Sequence, residues 1–563
     1  MTLTTDRFLR YDDLTVELHA LAAAHPDLVA VDSIGRSHEG RDIWLATITD
    51  TSTGPHDEKP AMWIDANIHA VELTASVAAL GVVQRLVSGF GADDVVTRAV
   101  RTRTFYVVPR VNPDGAELAL ADRPRYLRSS TRPWPWSDGH RPTGLYGEDV
   151  DGDGRILMMR VPDANGAWKR HPDEPRLMTP RLITDGPDDG PYWRLLEEGS
   201  VVDHDGFTVP SSRPPEALDL NRNFPAGWST GVPGSGDFPG SEPEIDALIR
   251  AVRARPNICG YNAFHTAGGV LLRPSSTAAD STLPAVDIWA WTELGTSCTE
   301  LTSYPVHSVY EDFTWDKTDL MSGAADDWAY EHIGVYSWTT EFWDAIHAAT
   351  GTRASTHIWY TGPSSVEELA VLRWLEAHGH PGYVDWYAYD HPQLGAVELG
   401  GWDFLRTWSN PPEAMLSDEV RPHADFAVFQ ALAAPCLSIE RALAVQLGGG
   451  LWRVEVGVSN VGWLPTHVTE RARKESLTLP VAVELTMDEG VETVGGPARV
   501  ELGQLAGRSK FRLDGGSRMD GTPDRTLATW VVRGQAGSTV AITARHQRAG
   551  TARASVTLTE ADS

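Results

Sequence analysis

His69 and Glu72 are the first pair of residues whose types and spacing could do chemistry. They are three positions apart, where a short apolar run passes into a segment with helical spacing. Side chains three apart in a first helical turn can face one point. An imidazole nitrogen and a carboxylate oxygen both suit Zn²⁺. The alternative is an ordinary histidine followed by an exposed glutamate, because the bare spacing is common by chance.

His265 is the candidate for a third ligand. An apolar run leads to it and small residues follow, as expected at the end of a sheet strand. A catalytic zinc needs three protein ligands and one open position for water. His69, Glu72 and His265 would supply those ligands. The alternative is a hydrogen-bonded histidine of the core.

Glu341 is the candidate general base. It lies in a predicted strand beside Trp338, Phe342 and Trp343. Aromatic neighbours partly desolvate a carboxylate, which raises its pKa toward values useful for proton transfer. The alternative is a buried glutamate that pairs with an arginine.

Four short motifs occur in an order that resembles one enzyme family. They are GRSHEGRDI at 35–43, NPDG at 112–115, LNRNFP at 220–225 and TTEFWD at 339–344. This set is similar to the zinc metallocarboxypeptidases of the carboxypeptidase A/B type, and the resemblance covers roughly residues 6–382. It implies one Zn²⁺ per chain, bound by His69, Glu72 and His265, and a peptide substrate with a free C-terminus. With its long insertion and C-terminal β domain, the chain looks like a bacterial member.

The resemblance also assigns three polar residues to the substrate. Asn221 and Arg222 match the pair that binds the free C-terminal carboxylate, and a guanidinium offers that group a planar bidentate fork. Arg128 lies where the family places an arginine that polarises the scissile carbonyl, although Arg125 is only three residues away. The alternative for each arginine is a surface salt bridge.

Asp326 lies in the stretch that shapes the specificity pocket of these relatives. An acid there resembles the branch that removes C-terminal Lys or Arg, since opposite charge at the pocket base would favour such residues. Capping of a following helix is the alternative for Asp326 and its neighbour Asp327. The family's mobile tyrosine is missing: Asp319, Leu320 and Met321 occupy that region, and Tyr310 is out of register.

Residues 149–155, DVDGDGR, resemble the first half of a calcium loop. Asp149, Asp151 and Asp153 fall at alternating ligand positions, and Gly154 takes the place of the sharp turn. Arg160 occupies the twelfth position, where a full loop has Glu. The loop is therefore either a Ca²⁺ site with distant ligands or a solvated acidic turn.

Strands that alternate with helices position these residues. They predict an α/β fold with a mixed, largely parallel sheet and helices on both faces, carboxypeptidase-like by resemblance. Residues 1–447 form the expected catalytic domain, with an irregular insertion at about 129–218 that is rich in Pro, Gly and Asp. Alternating apolar residues in LWRVEVGVSN predict a C-terminal β-sandwich over 448–563.

The amino-acid composition limits which binding partners and which cellular compartment we expect. The 563 residues carry a net charge of −29 and only 3 Cys. A polyanion repels phosphate backbones and anionic lipid, so we expect no nucleic-acid or membrane partner. The sparse cysteines exclude a disulfide scaffold, and with no signal peptide apparent they favour the cytoplasm. The oligomeric state stays unknown at this point.

Three functions compete. The main hypothesis is a zinc exopeptidase that hydrolyses the C-terminal peptide bond, with a possible preference for basic C-terminal residues. A second is a zinc amidase acting on N-acyl amino acids or cell-wall peptides, although Ala70 stands where such deacylases usually have Gly. A third is a non-catalytic peptide-binding protein on the same scaffold, against which the intact set of ligands and base argues.

Overall fold

The computed structural model describes residues 2–136, 138–509 and 521–559. The strands, in chain order, are β1 (Val29–Arg36), β2 (Asp42–Ile48), β3 (Ala61–Ala66), β4 (Thr104–Val108), β5 (Gly144–Gly147), β6 (Met158–Pro162), β7 (Trp168–Arg170), β8 (Met178–Pro180), β9 (Trp193–Glu197), β10 (Gly199–Val202), β11 (Ile258–Thr266), β12 (Val270–Arg273), β13 (Val306–Ser308), β14 (Tyr336–Phe342), β15 (Tyr383–His391), β16 (Gly395–Trp402), β17 (Leu437–Gly448), β18 (Leu451–Asn460), β19 (Val481–Met487), β20 (Glu492–Thr493), β21 (Arg499–Gly503), β22 (Arg525–Arg533), β23 (Thr539–His546) and β24 (Gly550–Thr557).

The α-helices are α1 (Tyr11–Ala24), α2 (Leu73–Gly89), α3 (Asp94–Thr102), α4 (Pro113–Ala119), α5 (Pro243–Arg253), α6 (Ala285–Thr302), α7 (Ala325–Trp328), α8 (Ala345–Thr350), α9 (Ile358–Thr361), α10 (Ser365–His378), α11 (Leu416–Ala433) and α12 (Glu470–Lys474).

An eight-stranded mixed sheet forms the centre of the catalytic domain. Its order is β1-β2-β4-β3-β11-β14-β12-β13, and the pairs β4–β3, β3–β11, β11–β14 and β12–β13 are parallel. Strands covered on both faces read as continuous apolar runs, and every residue of β3 and β4 is buried. Helices α1, α2, α3 and α11 contribute to the apolar core on one face, and α5 and α7 to that on the other. The predicted α/β class is confirmed.

The segment between 129 and 218 differs from the predicted irregular insertion. It carries β5 to β10, and four of these strands join β15 and β16 in a six-stranded sheet of order β15-β16-β6-β9-β7-β8. These insertion strands are three to five residues long, too short to show alternation. One of them, β6, pairs with β16, which comes more than two hundred residues later, so no local signal predicts that pairing.

Two four-stranded antiparallel sheets form the C-terminal β domain. The predicted alternation is correct: Val454, Val456 and Val458 are all buried between the sheets. Strand β17 belongs to this domain. The first strand of the β domain therefore begins at Leu437, whereas the sequence pattern predicts that the domain starts at residue 448. Most of β17 is half-buried or exposed, which hides its alternation in the sequence.

The β domain is anchored to the back of the catalytic domain through buried polar groups. Asp287 of α6 accepts hydrogen bonds from the hydroxyls of Tyr330 and Tyr336 and from the backbone N–H groups of Glu470 and Arg471, which begin α12. From the β23–β24 turn, the buried Arg548 donates to the carbonyl of Gly334 at 2.8 Å. Buried donors and acceptors without partners are costly, so these bonds fix the docking of the domain.

Two simpler expectations concern cysteines and membranes. Cys259, Cys298 and Cys436 are all free, as predicted. In the described ranges no single helix is long and apolar enough to cross a membrane, although α2 and α3, bent by 103° to each other, pass by length and composition when taken together.

Candidate functional site

The loop between β3 and α2 carries His69 and Glu72. Asn67, directly after β3, has a φ of 58°, in the left-handed region that asparagine tolerates better than most residues. Its amide donates to the carbonyl of His69 at 2.7 Å and to that of Glu72 at 3.2 Å. One side chain therefore fixes both ends of the loop that presents the two predicted ligands.

His69, Glu72 and His265 meet at one point. His69 Nδ1 lies 2.8 Å from Glu72 Oε1, and His265 Nδ1 lies 3.0 Å from Glu72 Oε2. The two Nδ1 atoms are 3.1 Å apart, and all three residues are buried. Their ligand atoms lie within 4.8 Å of one another.

The donor set fits a zinc ion. Two imidazole nitrogens and one carboxylate oxygen are typical ligands of a catalytic Zn²⁺. Tetrahedral ligands at ~2.0–2.1 Å from zinc lie about 3.4 Å apart, close to the spacing seen here. The two Nδ1 atoms also approach each other to 3.1 Å in the interior, a spacing that a shared cation would account for. We therefore identify these three residues as those that would hold the ion.

Asp219 supports this centre from the side of His69. Its Oδ1 lies 3.1 Å from His69 Nε2, and its Oδ2 accepts a hydrogen bond from Arg128 Nε at 3.0 Å. A carboxylate on the far nitrogen fixes the tautomer and orientation of a metal-binding histidine. Burial raises the pKa of Asp219, but Arg128, His69 and Arg222 outweigh it and hold that pKa well below its usual range.

The motifs NPDG at 112–115 and GRSHEGRDI at 35–43 have a structural role. Asn112 of the NPDG motif donates to the carbonyl of Ser129 at 2.6 Å and accepts from the N–H of Gly115 at the start of α4. Asp114 accepts from Ser37 Oγ at 2.7 Å and from the N–H of Glu39, both in the β1–β2 turn. These bonds tie the β1–β2 turn to the segment that carries Arg128.

The structure separates the two candidate arginines. Arg128 lies at the site, where its Nη1 is 3.5 Å from Glu72 Oε1 and about half of its side chain (52%) is exposed. Arg125 instead pairs with Glu216 at 2.9 Å, outside the ligand group. Arg128 is therefore the arginine that can reach a bound carbonyl.

Glu341 lies directly opposite His265, on the neighbouring parallel strand. Burial raises the pKa of Glu341 to about 8; His265 and Arg128 oppose this shift, and the Glu72 carboxylate adds to it. Its Oε2 has no hydrogen-bond partner among the described residues. A half-buried carboxyl with a free oxygen beside a metal-ligand group is suited to take a proton from water.

A pocket of about 260 Å³ opens beside this centre. Asn221 and Arg222 line it; the carbonyl of the Asn221 side chain accepts from the N–H of Ala325 at 2.9 Å, which orients the amide. Asp326 also lines the pocket, is 2% exposed, and has an Oδ2 with no partner among the described residues. Burial raises the pKa of Asp326.

Neither Asp326 nor Asp327 occupies the N-cap of the following helix, although both lie in its first turn. Helix α7 has Ala324 at its N-cap, with no side-chain hydrogen bond there. Asp327 accepts from the N–H of Ser276 instead. In place of the family's tyrosine, Met321 lies on the pocket wall, whereas Tyr310 packs against Lys317 at 4.5 Å.

Sequence reasoning missed Asp219 and Phe404. An acid two residues before Asn221 was the available signal for Asp219, because metal-binding histidines usually have a carboxylate partner. Phe404 lines the same pocket as Glu341, follows β16 and is 46% exposed. Its place in the fold depends on the pairing of β16 with the insertion, so no local pattern could have shown it.

Asp149, Asp151 and Asp153 do lie together, within 4.8 Å. Backbone N–H groups already occupy them: Asp149 Oδ1 accepts from Gly152 at 2.6 Å, and its Oδ2 accepts from Gly154 at 3.0 Å. Calcium binding at this exposed loop stays a prediction of the sequence.

Comparison with known proteins bears on this arrangement. The Peptidase_M14 family model, described as zinc carboxypeptidase, matches residues 14–153 and 200–357, which together exceed half of the chain. A second model, a domain of unknown function (DUF8731), matches residues 436–557, the C-terminal β domain.

Individual relatives match parts of the chain. A zinc carboxypeptidase of Saccharothrix mutabilis subsp. capreolus is 29% identical over 111 residues, covering 20% of this chain and 25% of the relative. Mouse carboxypeptidase A2 is 35% identical over 104 residues, covering 18% and 24%. Rat carboxypeptidase A1 is 22% identical over 342 residues, covering 59% and 62%. The chain thus spans between a quarter and three fifths of the length of these curated relatives.

Solved structures with a similar course of the chain include two carboxypeptidases. That of carboxypeptidase A from Helicoverpa armigera has a TM-score of 0.38 and 18% identity, covering 67% of this chain and 74% of that one. A metallo-carboxypeptidase from Burkholderia cenocepacia has a TM-score of 0.34 and 15% identity, covering 66% and 69%. From the family match over more than half of its length, the chain belongs to the zinc carboxypeptidase family.

Proposed function

We propose that the protein is a zinc-dependent exopeptidase that hydrolyses the C-terminal peptide bond of peptides. One observation carries the proposal. The pocket that holds Asn221 and Arg222 also contains His69, Glu72, His265 and Glu341 on its wall. A substrate carboxylate bound by Asn221 and Arg222 would therefore lie in the same pocket as the hydrolytic residues, as removal of a terminal residue requires.

Each residue of the site has a separate role in the proposed reaction. Arg222 and Asn221 bind the terminal carboxylate through guanidinium and amide N–H groups. Arg128 donates to the carbonyl oxygen, where negative charge develops. Glu341 takes a proton from the attacking water at its free oxygen and returns it to the leaving amine. His69, Glu72 and His265 would hold a zinc ion, which when bound would supply Lewis-acid chemistry that makes a water molecule more acidic.

The buried Asp326 supports a preference for basic C-terminal residues. Its free Oδ2 faces no partner among the described residues, and burial disfavours its charge unless a cation arrives. A C-terminal Lys or Arg would provide that cation inside the pocket, whereas an apolar residue would leave the carboxyl unpaired.

Matched peptides test the exopeptidase activity. We expect the zinc-loaded protein to hydrolyse an Nα-blocked tripeptide ending in Arg at least about a hundredfold faster, by kcat/KM, than the same peptide as its C-terminal amide, because the amide cannot form the charged bidentate contact. Arg222→Ala should remove most of that difference, and Arg125→Ala, whose arginine lies elsewhere, should keep it. Equal cleavage of the acid and the amide would contradict the proposal.

The same assay separates the two other functions. Cleavage of N-acyl amino acids without cleavage of the blocked tripeptides would favour the amidase. Peptide binding with no turnover of either substrate would favour a non-catalytic binding protein. A cytoplasmic location, the lack of nucleic-acid and membrane partners, and calcium at Asp149, Asp151 and Asp153 stay predictions from the sequence.

A further inference from the structure

A second and larger cavity adjoins the catalytic pocket. Its volume is about 670 Å³, and it shares Val71, Arg128, Ala267 and Phe404 with the smaller pocket. Such a volume falls within the ~300–1,000 Å³ typical of ligand pockets. The shared residues join the two cavities at Arg128, whereas Asn221 and Arg222 line the smaller pocket. A substrate held by its terminal carboxylate would therefore extend its preceding residues past Arg128 into the larger cavity.

The walls of this cavity carry several aromatic side chains, contributed by the insertion, the β15–β16 hairpin and other segments. Trp168 of β7 lines it, with Trp386 of β15, Trp402 of β16 and Trp343 after β14. Three of these indole N–H groups are already used: Trp386 donates to the carbonyl of Arg176, Trp402 to Glu368, and Trp343 to the carbonyl of Thr407. The rings therefore offer carbon surface to a ligand rather than hydrogen-bond donors.

Three acids line the cavity: Glu197, Asp344 and Glu368. Burial raises the pKa of Glu368 to about 7, and its Oε1 accepts from Trp402 Nε1 at 2.9 Å. Burial also raises the pKa of Glu197. Burial thus disfavours the charged forms of these two acids. Asp344 accepts hydrogen bonds from the backbone N–H groups of His347 and Ala354, so the aromatic rings leave the cavity best suited to an uncharged group that stacks against them.

We propose that this cavity binds a large aromatic side chain of the peptide substrate, on the amino side of the scissile bond. The inference rests on the proposed function, which sets the direction of the substrate. The six-stranded sheet that includes the insertion strands would then help to determine specificity for the residue that precedes the one removed, while Asp326 acts on the terminal residue itself. An indole or phenyl ring gains burial and ring–ring contact there that a methyl group cannot provide.

Binding measurements test this proposal separately from turnover. With zinc-loaded Glu341→Gln protein, we expect calorimetry to show that acetyl-Trp-Arg binds at least about tenfold more tightly than acetyl-Ala-Arg. Ala354→Phe, which places a ring inside the cavity, should abolish most of that ratio. Ala396→Phe, at an exposed position on β16, is the matched control and should keep it. Trp168→Ala, which opens the wall, should reduce the ratio as well.

Each result decides one point. Equal affinity for the two peptides, or a ratio that Ala354→Phe and Trp168→Ala leave unchanged, would overturn the inference. Tighter binding of N-octanoyl-Arg than of acetyl-Trp-Arg would overturn the choice of an aromatic residue and assign the cavity to an acyl chain. A Trp preference in binding together with no hydrolysis of either peptide by the unmutated protein would contradict the proposed function and leave the aromatic subsite supported.

Discussion

His69 Nε2 lies 3.1 Å from Oδ1 of Asp219, a residue that also accepts a hydrogen bond from Arg128 through its other oxygen. One carboxylate thus orients both a predicted metal ligand and the arginine that would contact the substrate carbonyl. Asp219 also begins the short turn Leu220–Arg222, where its side chain accepts from the N–H of Asn221. It therefore connects the metal group with the residues that bind the terminal carboxylate.

Asp219→Ala should weaken zinc binding about 10–100-fold, because the imidazole of His69 loses the partner that fixes its orientation. Competition with a chromophoric chelator measures this directly. Glu216→Ala is the control, since Glu216 pairs with Arg125 away from the ligand group. Zinc affinity unchanged in Asp219→Ala would show that the contact does not support the metal.

Asp326→Asn should lower the preference for C-terminal Arg over C-terminal Leu at least about tenfold, measured as the ratio of kcat/KM values. The reason is electrostatic: at an effective dielectric constant of ~20, two unit charges 4 Å apart interact by about 4 kcal/mol. Asp319→Asn, at an exposed position near the same loop, should keep the ratio. A preference for Leu already present in the unmutated protein would contradict the role given to Asp326.

Asp287→Ala should lower the free energy of unfolding by about 3–5 kcal/mol, because two tyrosine hydroxyls and two backbone N–H groups lose their buried acceptor. Urea unfolding followed by tryptophan fluorescence measures the loss. Asp418→Ala, whose side chain is 85% exposed, serves as the comparison and should change little. If both variants unfolded at the same urea concentration, Asp287 would not anchor the β domain.

Glu244 gives the fold a dependence on pH. Burial raises the pKa of this carboxyl to about 7, with Asp114 and Glu242 acting in the same direction and the N–H of His38 against it. Because the folded pKa lies above the unfolded one, its contribution to stability is complete below about pH 4.5 and is lost as the pH rises through 7. Glu244→Gln removes this loss.

We therefore expect Glu244→Gln to gain stability relative to the unmutated protein by roughly 2–3 kcal/mol between pH 5 and pH 9. Chemical unfolding at both pH values checks the difference. The exposed Glu475→Gln provides the reference. A difference between variant and parent that does not change with pH would show that Glu244 titrates normally.

Much of the catalytic domain could be predicted from the sequence because its signals are local. The buried run of β3 and the helical spacing of α2 predict the loop that carries His69 and Glu72. The positions of His265 and Glu341 also follow from strand ends, since neighbouring parallel strands finish at one edge of a sheet.

The insertion could not be predicted in the same way. Its strand β6 pairs with β16, far along the chain, and β9 pairs with β6 in turn, so the six-stranded sheet depends on contacts that no local pattern shows. The aromatic cavity could not be predicted for the same reason, because Trp168 and Trp402 come together through that sheet. The role of Asp219 could not be predicted for another reason. The sequence shows an acid at this position, but its role depends on its contact with His69, which only the structure shows.

The measurement that tests the central claim most directly is zinc content and peptide hydrolysis in Glu341→Gln, compared with the unmutated protein. Because Glu341 Oε2 is free and the zinc ligands are other residues, we expect the variant to keep about one zinc per chain and to lose at least about a hundredfold in kcat on a blocked peptide with a free C-terminus. Full activity in a zinc-loaded variant, or an unmutated protein that binds no zinc, would contradict the account.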